Sequence, residues 1–176
     1  MYIRLKKIKK SSGNVYEYAY LVGSKWKKRK KQAKQLHSKF LGRSYEYEDI
    51  IIDKPDFSQM IKKFEADQAL KEIIGFELCT KGFMRTENVF HKNNFIVNLD
   101  RKFVHCLKNE AFLKIGKKGI CSYSLEKLFS FEKIENLYEG KKFIKAIKEC
   151  GITLTGEELF LLVEKMNTKR FDFAKI

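Results

Sequence analysis

Along residues 2–9 apolar and basic side chains alternate, with Ile3 and Leu5 in one register and Tyr2, Arg4 and Lys6 in the other. Successive side chains of an extended chain point to opposite faces, so a period of two predicts a strand with one buried face. Lys10-Ser-Ser-Gly-Asn14 supplies residues suited to a turn. The alternation resumes over residues 15–22, placing Tyr16, Tyr18 and Tyr20 on one face and Val15, Glu17, Ala19 and Leu21 on the other. A bend at Gly23-Ser24, or in the basic stretch after Trp26, leads to a third predicted strand at residues 32–41. The lysine-rich stretch 27–39 also suits a basic helix.

Residues 45–55 read as a linker or short strand whose acids end the basic block, and the only proline, Pro55, precedes a change of period. From Phe57 onward Met60, Ile61, Phe64, Leu70, Ile73, Ile74 and Leu78 recur at three- and four-residue intervals, predicting one or two helices that Gly75 interrupts or ends. Residues 95–99 and 103–107 read as a hairpin across Asp100-Arg-Lys102, and residues 112–115 as a third short strand ending at Gly116. Three more helices are predicted. One is a short helix from Ser124 to Phe129. The next runs from Glu139 to Cys150, with Gly151 as its stop. The last begins at Thr155, where Thr155 and Glu158 form a capping box. The fold class expected is α+β: a small basic antiparallel β domain at 1–44, a linker at 45–55, and an α+β domain at 56–176.

Charge sharpens this division. Of the net +15, residues 1–44 hold 14 Lys and Arg against the single acid Glu17, while residues 45–176 hold 23 basic and 21 acidic residues. A 13-charge excess in 44 folded residues repels itself, so it points to a polyanionic partner rather than to solubility. The candidate nucleic-acid contacts are Arg4, Lys6, Lys7, Lys9, Lys10, Lys25, Trp26, Lys27, Lys28, Arg29, Lys30, Lys31, Lys34, Lys39 and Arg43. Lysine is a point charge suited to phosphate, and arginine the better bidentate reader of bases. With 11 Lys to three Arg in this segment, backbone contact to duplex DNA or structured RNA, a ribosome-associated role included, is expected to dominate. The alternative for this basic arm is a protein-interaction module that meets acidic protein or lipid headgroups. Tyr16, Tyr18 and Tyr20 fit stacking on unpaired bases, or packing across the sheet or against the second domain. Trp26, set among lysines, is better placed to touch a ligand.

The order Tyr2-Ile-Arg-x-Lys6, a Ser-Gly turn, Val15-Tyr-x-Tyr-x-Tyr-Leu-Val22, a basic stretch and Phe40-Leu-Gly-Arg43 resembles the N-terminal region of DDE-type insertion-sequence transposases. The resemblance covers about a quarter of the chain and implies DNA contact by this segment. A transposase core of that family needs three metal-binding acids in a large domain. The 132 residues that follow leave little room for one, so transposition itself is not expected.

Other chemistry is sparse. Cys79, Cys106, Cys121 and Cys150 lack paired zinc-ligand spacing and read as reduced, half-buried thiols. There is no phosphate-binding loop ending in GKT or GKS, and no Gly-x-Ser-x-Gly. His37, His91 and His105 show no catalytic spacing. The sharpest enzymatic candidate is Asp56 with Asp100 and Lys102, a loose PD-(D/E)xK nuclease pattern, in which two acids hold a divalent ion and a lysine activates water. Asp56 reads equally as a helix cap and Asp100-Arg-Lys102 as a turn, so no catalysis and no cofactor are expected. No apolar run reaches the ~18–20 residues that span a bilayer, and no secretory signal is evident, so a cytoplasmic protein without a membrane partner is expected. Residues 56–176 are left to dock a protein partner, self-associate or brace the first domain.

Overall fold

The computed structural model describes residues 1–167, without the side chains of residues 30, 32, 33, 36 and 37. Within them the chain is α+β, as expected. The strands are β1 (Tyr2–Lys9), β2 (Val15–Lys27), β3 (Gln32–Glu46), β4 (Met84–Thr86), β5 (Val89–Lys92), β6 (Phe95–Asn98), β7 (Phe103–Cys106), β8 (Asn109–Ile115) and β9 (Lys118–Ile120). The helices are α1 (Phe57–Lys63), α2 (Ala66–Thr80), α3 (Ser122–Leu128), α4 (Leu137–Glu149) and α5 (Gly156–Met166). The strands form one mixed sheet in the order β1-β2-β3-β8-β7-β6-β5-β4, with β9 also on β8.

The N-terminal hairpins form where alternation places them, but β3 is a strand throughout and runs five residues past its expected end. That extension runs into the stretch read as a linker or short strand. Arg43 to Glu46 pair in parallel with Ala111 to Lys114 of β8, so residues 45 and 46 belong to the sheet. The crossing is close. Gly42 has φ +113°, and a Cβ there would lie 2.3 Å from the Glu110 carbonyl oxygen, so only glycine admits the approach of the two backbones. Tyr45 and Tyr47 then stack edge-on against Phe95, at 5.3 and 6.1 Å. Burial pushes the Tyr45 phenol up to about 12, and the neighbouring Cys106 thiol adds to the shift. Residues 47–56 carry no helix or strand, yet the Ile50 N–H donates to the Thr80 carbonyl, which ties this stretch to the end of α2.

Two buried clusters follow. The larger packs α1 to α5 on the β5–β9 strands, with Phe57, Ile73, Phe90, Phe95 and Phe143 among its fully buried rings and chains. The smaller joins Ala19, Leu21 and Leu41 of the N-terminal sheet to Phe112 and Cys121, with Ile3, Leu5 and Tyr123 at its margin. Burying a ring the size of Phe112 is worth about 1.5–3 kcal/mol, so the N-terminal sheet is fastened to the rest along one face.

The helices differ from expectation in their ends. The break between the first two falls at Phe64, the C-cap of α1, and not at Gly75, which lies buried inside α2. A Cβ at Gly75 would meet the Phe90 ring at 2.8 Å, so the glycine serves close packing of helix on sheet. The next two helices each begin two residues earlier than expected. Asn136 caps α4 by accepting from the Glu139 N–H. The capping box of α5 forms: the Glu158 N–H donates to Thr155 Oγ1 at 3.2 Å, and the Thr155 N–H to the Glu158 carboxylate at 2.6 Å. Cys121 and Cys150 are fully buried and Cys79 and Cys106 partly so, all as free thiols.

Candidate nucleic-acid interface

The interface grows from the pairing register. Directly opposed residues of an antiparallel pair share a face. Arg4 lies opposite Tyr20 and Lys6 opposite Tyr18, and across the next strand Tyr18 faces Arg43 and Tyr20 faces Phe40. One face therefore carries Arg4, Lys6, Tyr16, Tyr18, Tyr20, Phe40 and Arg43. The other carries Ile3, Leu5, Ala19 and Leu21 into the small buried cluster. A register shift between Ala19 and Tyr20 lets Leu41 join that buried side.

The tyrosines pack across the sheet and not against the second region. Phe40 lies 6.0 Å from Tyr18 and 5.6 Å from Tyr20, and among the described residues none of these rings belongs to either buried cluster. The Arg43 guanidinium covers Tyr16 at 4.2 Å, and Lys10 reaches over Tyr18 at 5.8 Å. Arg4, Lys6, Tyr20, Val22, Gln35 and Ser38 line a cavity of about 220 Å³ on this face.

Beyond residue 22 the β2–β3 hairpin continues without a third strand. Ser24 to Lys27 pair with Gln35 to Gln32, after a second register shift. This two-stranded ribbon closes through a 3₁₀ turn at Lys28–Lys30, and Lys31 takes a left-handed conformation with φ 45°. Lys25, Trp26, Lys27, Lys28, Arg29, Lys31 and Lys34 are exposed along it, Trp26 to 60 %. The side chain of Lys30 lies outside the described residues, as does that of His37. Lys7 and Lys9 are exposed on β1, opposite Glu17 and Val15, and Lys39 is exposed on β3. Most candidate contacts thus fall into two adjoining groups, the ribbon and the aromatic face, whereas Lys7, Lys9 and Lys39 share the register of Leu5, Ala19 and Leu21 on the other face.

Charge compensation is uneven. Glu17, the one acid of the first 44 residues, accepts from the Ser44 hydroxyl at 3.2 Å and lies 3.9 Å from Lys114 of β8. Among the described residues no lysine or arginine of the N-terminal sheet pairs with a carboxylate. The ion pairs use Lys54, Lys71, Lys81, Arg85, Lys114 and Lys127, all farther along the chain. A cleft of about 470 Å³ beside α4, α5 and the β8–β9 turn is mixed in sign, with Asp49 and Glu77 among Lys81, Lys117, Lys118 and Lys148.

The residues of the nuclease pattern are each held by local structure. Asp56 caps α1 by accepting from the Gln59 N–H at 3.1 Å. Asp100 lies in the β6–β7 turn, 2.9 Å from Lys71, whose hydrogen bond holds its carboxyl below the usual value. Lys102 closes the same turn with φ 57°. No hydrogen bond or ion pair joins the three among the described residues. Nor do those residues contain a group of three or more His, Cys, Asp or Glu placed to hold a metal ion. His105 stacks on Phe103 at 4.7 Å. No described helix is long and apolar enough to cross a membrane.

Phe40 is the main residue of the face that sequence reasoning did not select as a contact. Its signal was present in the tyrosine alternation of β2, but its own face depends on the register shift that sets Phe40 opposite Tyr20. Comparison of the chain with protein-family models, curated proteins and solved structures finds no match.

Proposed function

We propose that this protein is a non-catalytic nucleic-acid binder that contacts the phosphate backbone of duplex DNA or structured RNA through its N-terminal sheet. One observation carries the reading: the dense positive charge of residues 1–44 stands exposed on a braced sheet and ribbon without carboxylate partners among the described residues. Like charges held together this way repel, and phosphate relieves the repulsion. The shape supports the same conclusion, since a two-stranded β-ribbon is narrow enough to enter the major groove. The sequence resemblance to the DNA-contacting region of transposases agrees with it. Residues 56–176 brace the surface by burying Phe112 and Cys121 beneath it and by extending its sheet through β8.

The test is affinity for matched DNA and RNA duplexes over a salt series. If six cations each neutralise one phosphate, log affinity should fall against log salt with a slope of about −5 on DNA, with little dependence on sequence. A flat response would refute phosphate-driven binding, and strong preference for one sequence would move the energy to base contacts.

A further inference from the structure

The geometry points to a second contact on the same protein: the open face bearing Tyr20 and Phe40 seats unpaired nucleotides, so that the preferred ligand is a duplex with a single-stranded extension. This inference rests on the phosphate-binding reading and adds the kind of nucleic acid bound. Three observations carry it.

First, the rings lie on the side of the sheet away from the buried cluster, and Phe40 is 49 % exposed. A solvent-facing phenylalanine beside Tyr18 and Tyr20 leaves apolar surface that a flat base can cover. Second, the rings differ in availability. Tyr16 is already covered by Arg43, and Lys10 reaches over Tyr18, whereas no cation is recorded over Tyr20 or Phe40 among the described residues. Third, the cavity beside Tyr20 joins Arg4 and Lys6, fit for phosphate, to Gln35 and Ser38, whose side chains hydrogen-bond to base edges or sugar. Same-face residues along a strand stand about 6.8 Å apart and neighbouring strands about 4.8 Å, so only a few bases fit. Aromatic side chains on a four-stranded sheet stack two or three unpaired bases in RNA recognition, and the same contact is open to the rings of this three-stranded face. Cations at the rim make the charge complementary to a strand, and unfavourable for docking an identical face of a second copy.

The experiment compares, by fluorescence anisotropy at one salt concentration, a blunt duplex and a duplex with a short unpaired extension, equal in total phosphates. Wild-type protein should bind the extended ligand at least about fivefold more tightly, the lower end of the effect of one stacked base. Phe40→Leu and Tyr20→Leu keep apolar bulk and remove the ring. Each should erase most of the preference for the extended ligand, while Tyr20→Phe keeps it. A 2-aminopurine placed in the extension should lose emission on binding wild-type protein, a readout that needs no variant. Equal affinity of wild-type protein for the two ligands, with no change in 2-aminopurine emission, would overturn the stacking site and leave phosphate binding intact. Loss of binding to both ligands by wild-type protein at low salt would remove the two readings together. Dimerisation abolished by Phe40→Leu, without preference for the extension, would give the face to a second copy and overturn the proposal.

Discussion

Lys71 and Lys27 show how differently the two regions of this chain treat a positive charge. Lys71, on α2, stands between Asp67 at 2.7 Å and Asp100 at 2.9 Å, and these partners raise its pKa against the opposing effect of burial. Arg85 grips Glu72 with two hydrogen bonds of 2.5 and 2.6 Å. Such pairs fix one side chain against another and use up the charge within the fold. Lys27, on the ribbon, is exposed and has no carboxylate partner among the described residues. Among the described residues, one region ties six of its cations to its own carboxylates, and the other holds its cations out to solvent on a scaffold fastened from behind. Net charge alone does not reveal this. The distinction lies in where the acids are.

The comparison can be broken at the seam. Gly42→Ala would force a Cβ into the Glu110 carbonyl at a positive φ, with a strain of about 1–3 kcal/mol before the clash is counted. The expected result is a melting temperature lower by roughly 5 °C or more. A variant with unchanged stability would show that the two regions are not tightly joined there.

A smaller effect is expected from Trp26→Ala. Because Trp26 is 60 % exposed, thermal stability should hardly move. Binding to single-stranded ligands should weaken by about 1–3 kcal/mol per base stacked, with duplex binding less affected. An equal loss for every ligand, together with a lower melting temperature, would make Trp26 a packing residue.

The smallest effect concerns pH. Hydrogen bonds from Arg85 hold the Glu72 carboxyl below its ordinary value. A depressed carboxyl contributes stability that is fully present above its unfolded value of about 4.3 and is lost as pH falls through the folded one. Glu72→Gln should therefore flatten the acid limb of the stability curve, by no more than about 1 kcal/mol after solvent screening. An acid limb unchanged by Glu72→Gln would weaken the contrast.

Much of the N-terminal fold was legible because alternation is a local property. Tyr2 through Lys6 and Val15 through Leu21 display it on either side of a turn, and the face assignment of the three tyrosines follows from it. The capping box at Thr155 was equally local. The parallel pairing of residues 43–46 with β8 was not legible, since it joins segments 68 positions apart and depends on a close backbone approach that Gly42 alone permits. Gly75 misled for a related reason. A glycine in a helix reads as a break, and only the Phe90 ring against it shows that it serves packing. The charge excess marked the candidate interface, whereas the use of Glu17 by Ser44 and Lys114 became visible only in three dimensions.

The central claim is that location, not net charge, makes the binding surface, and two charge-matched variants test it most directly. In one, Lys27, Lys28, Arg29, Lys30 and Lys31 become glutamine. In the other, the exposed Lys133, Lys141, Lys142, Lys145 and Lys148 do. Each lowers the net charge equally, and circular dichroism checks folding. The salt dependence of DNA-duplex affinity is then measured for both. The ribbon variant should bind every sequence more weakly, with a slope shallower by up to about 4.5, while the helix variant keeps the wild-type slope. Equal losses in the two variants, or wild-type binding by the ribbon variant, would contradict the account.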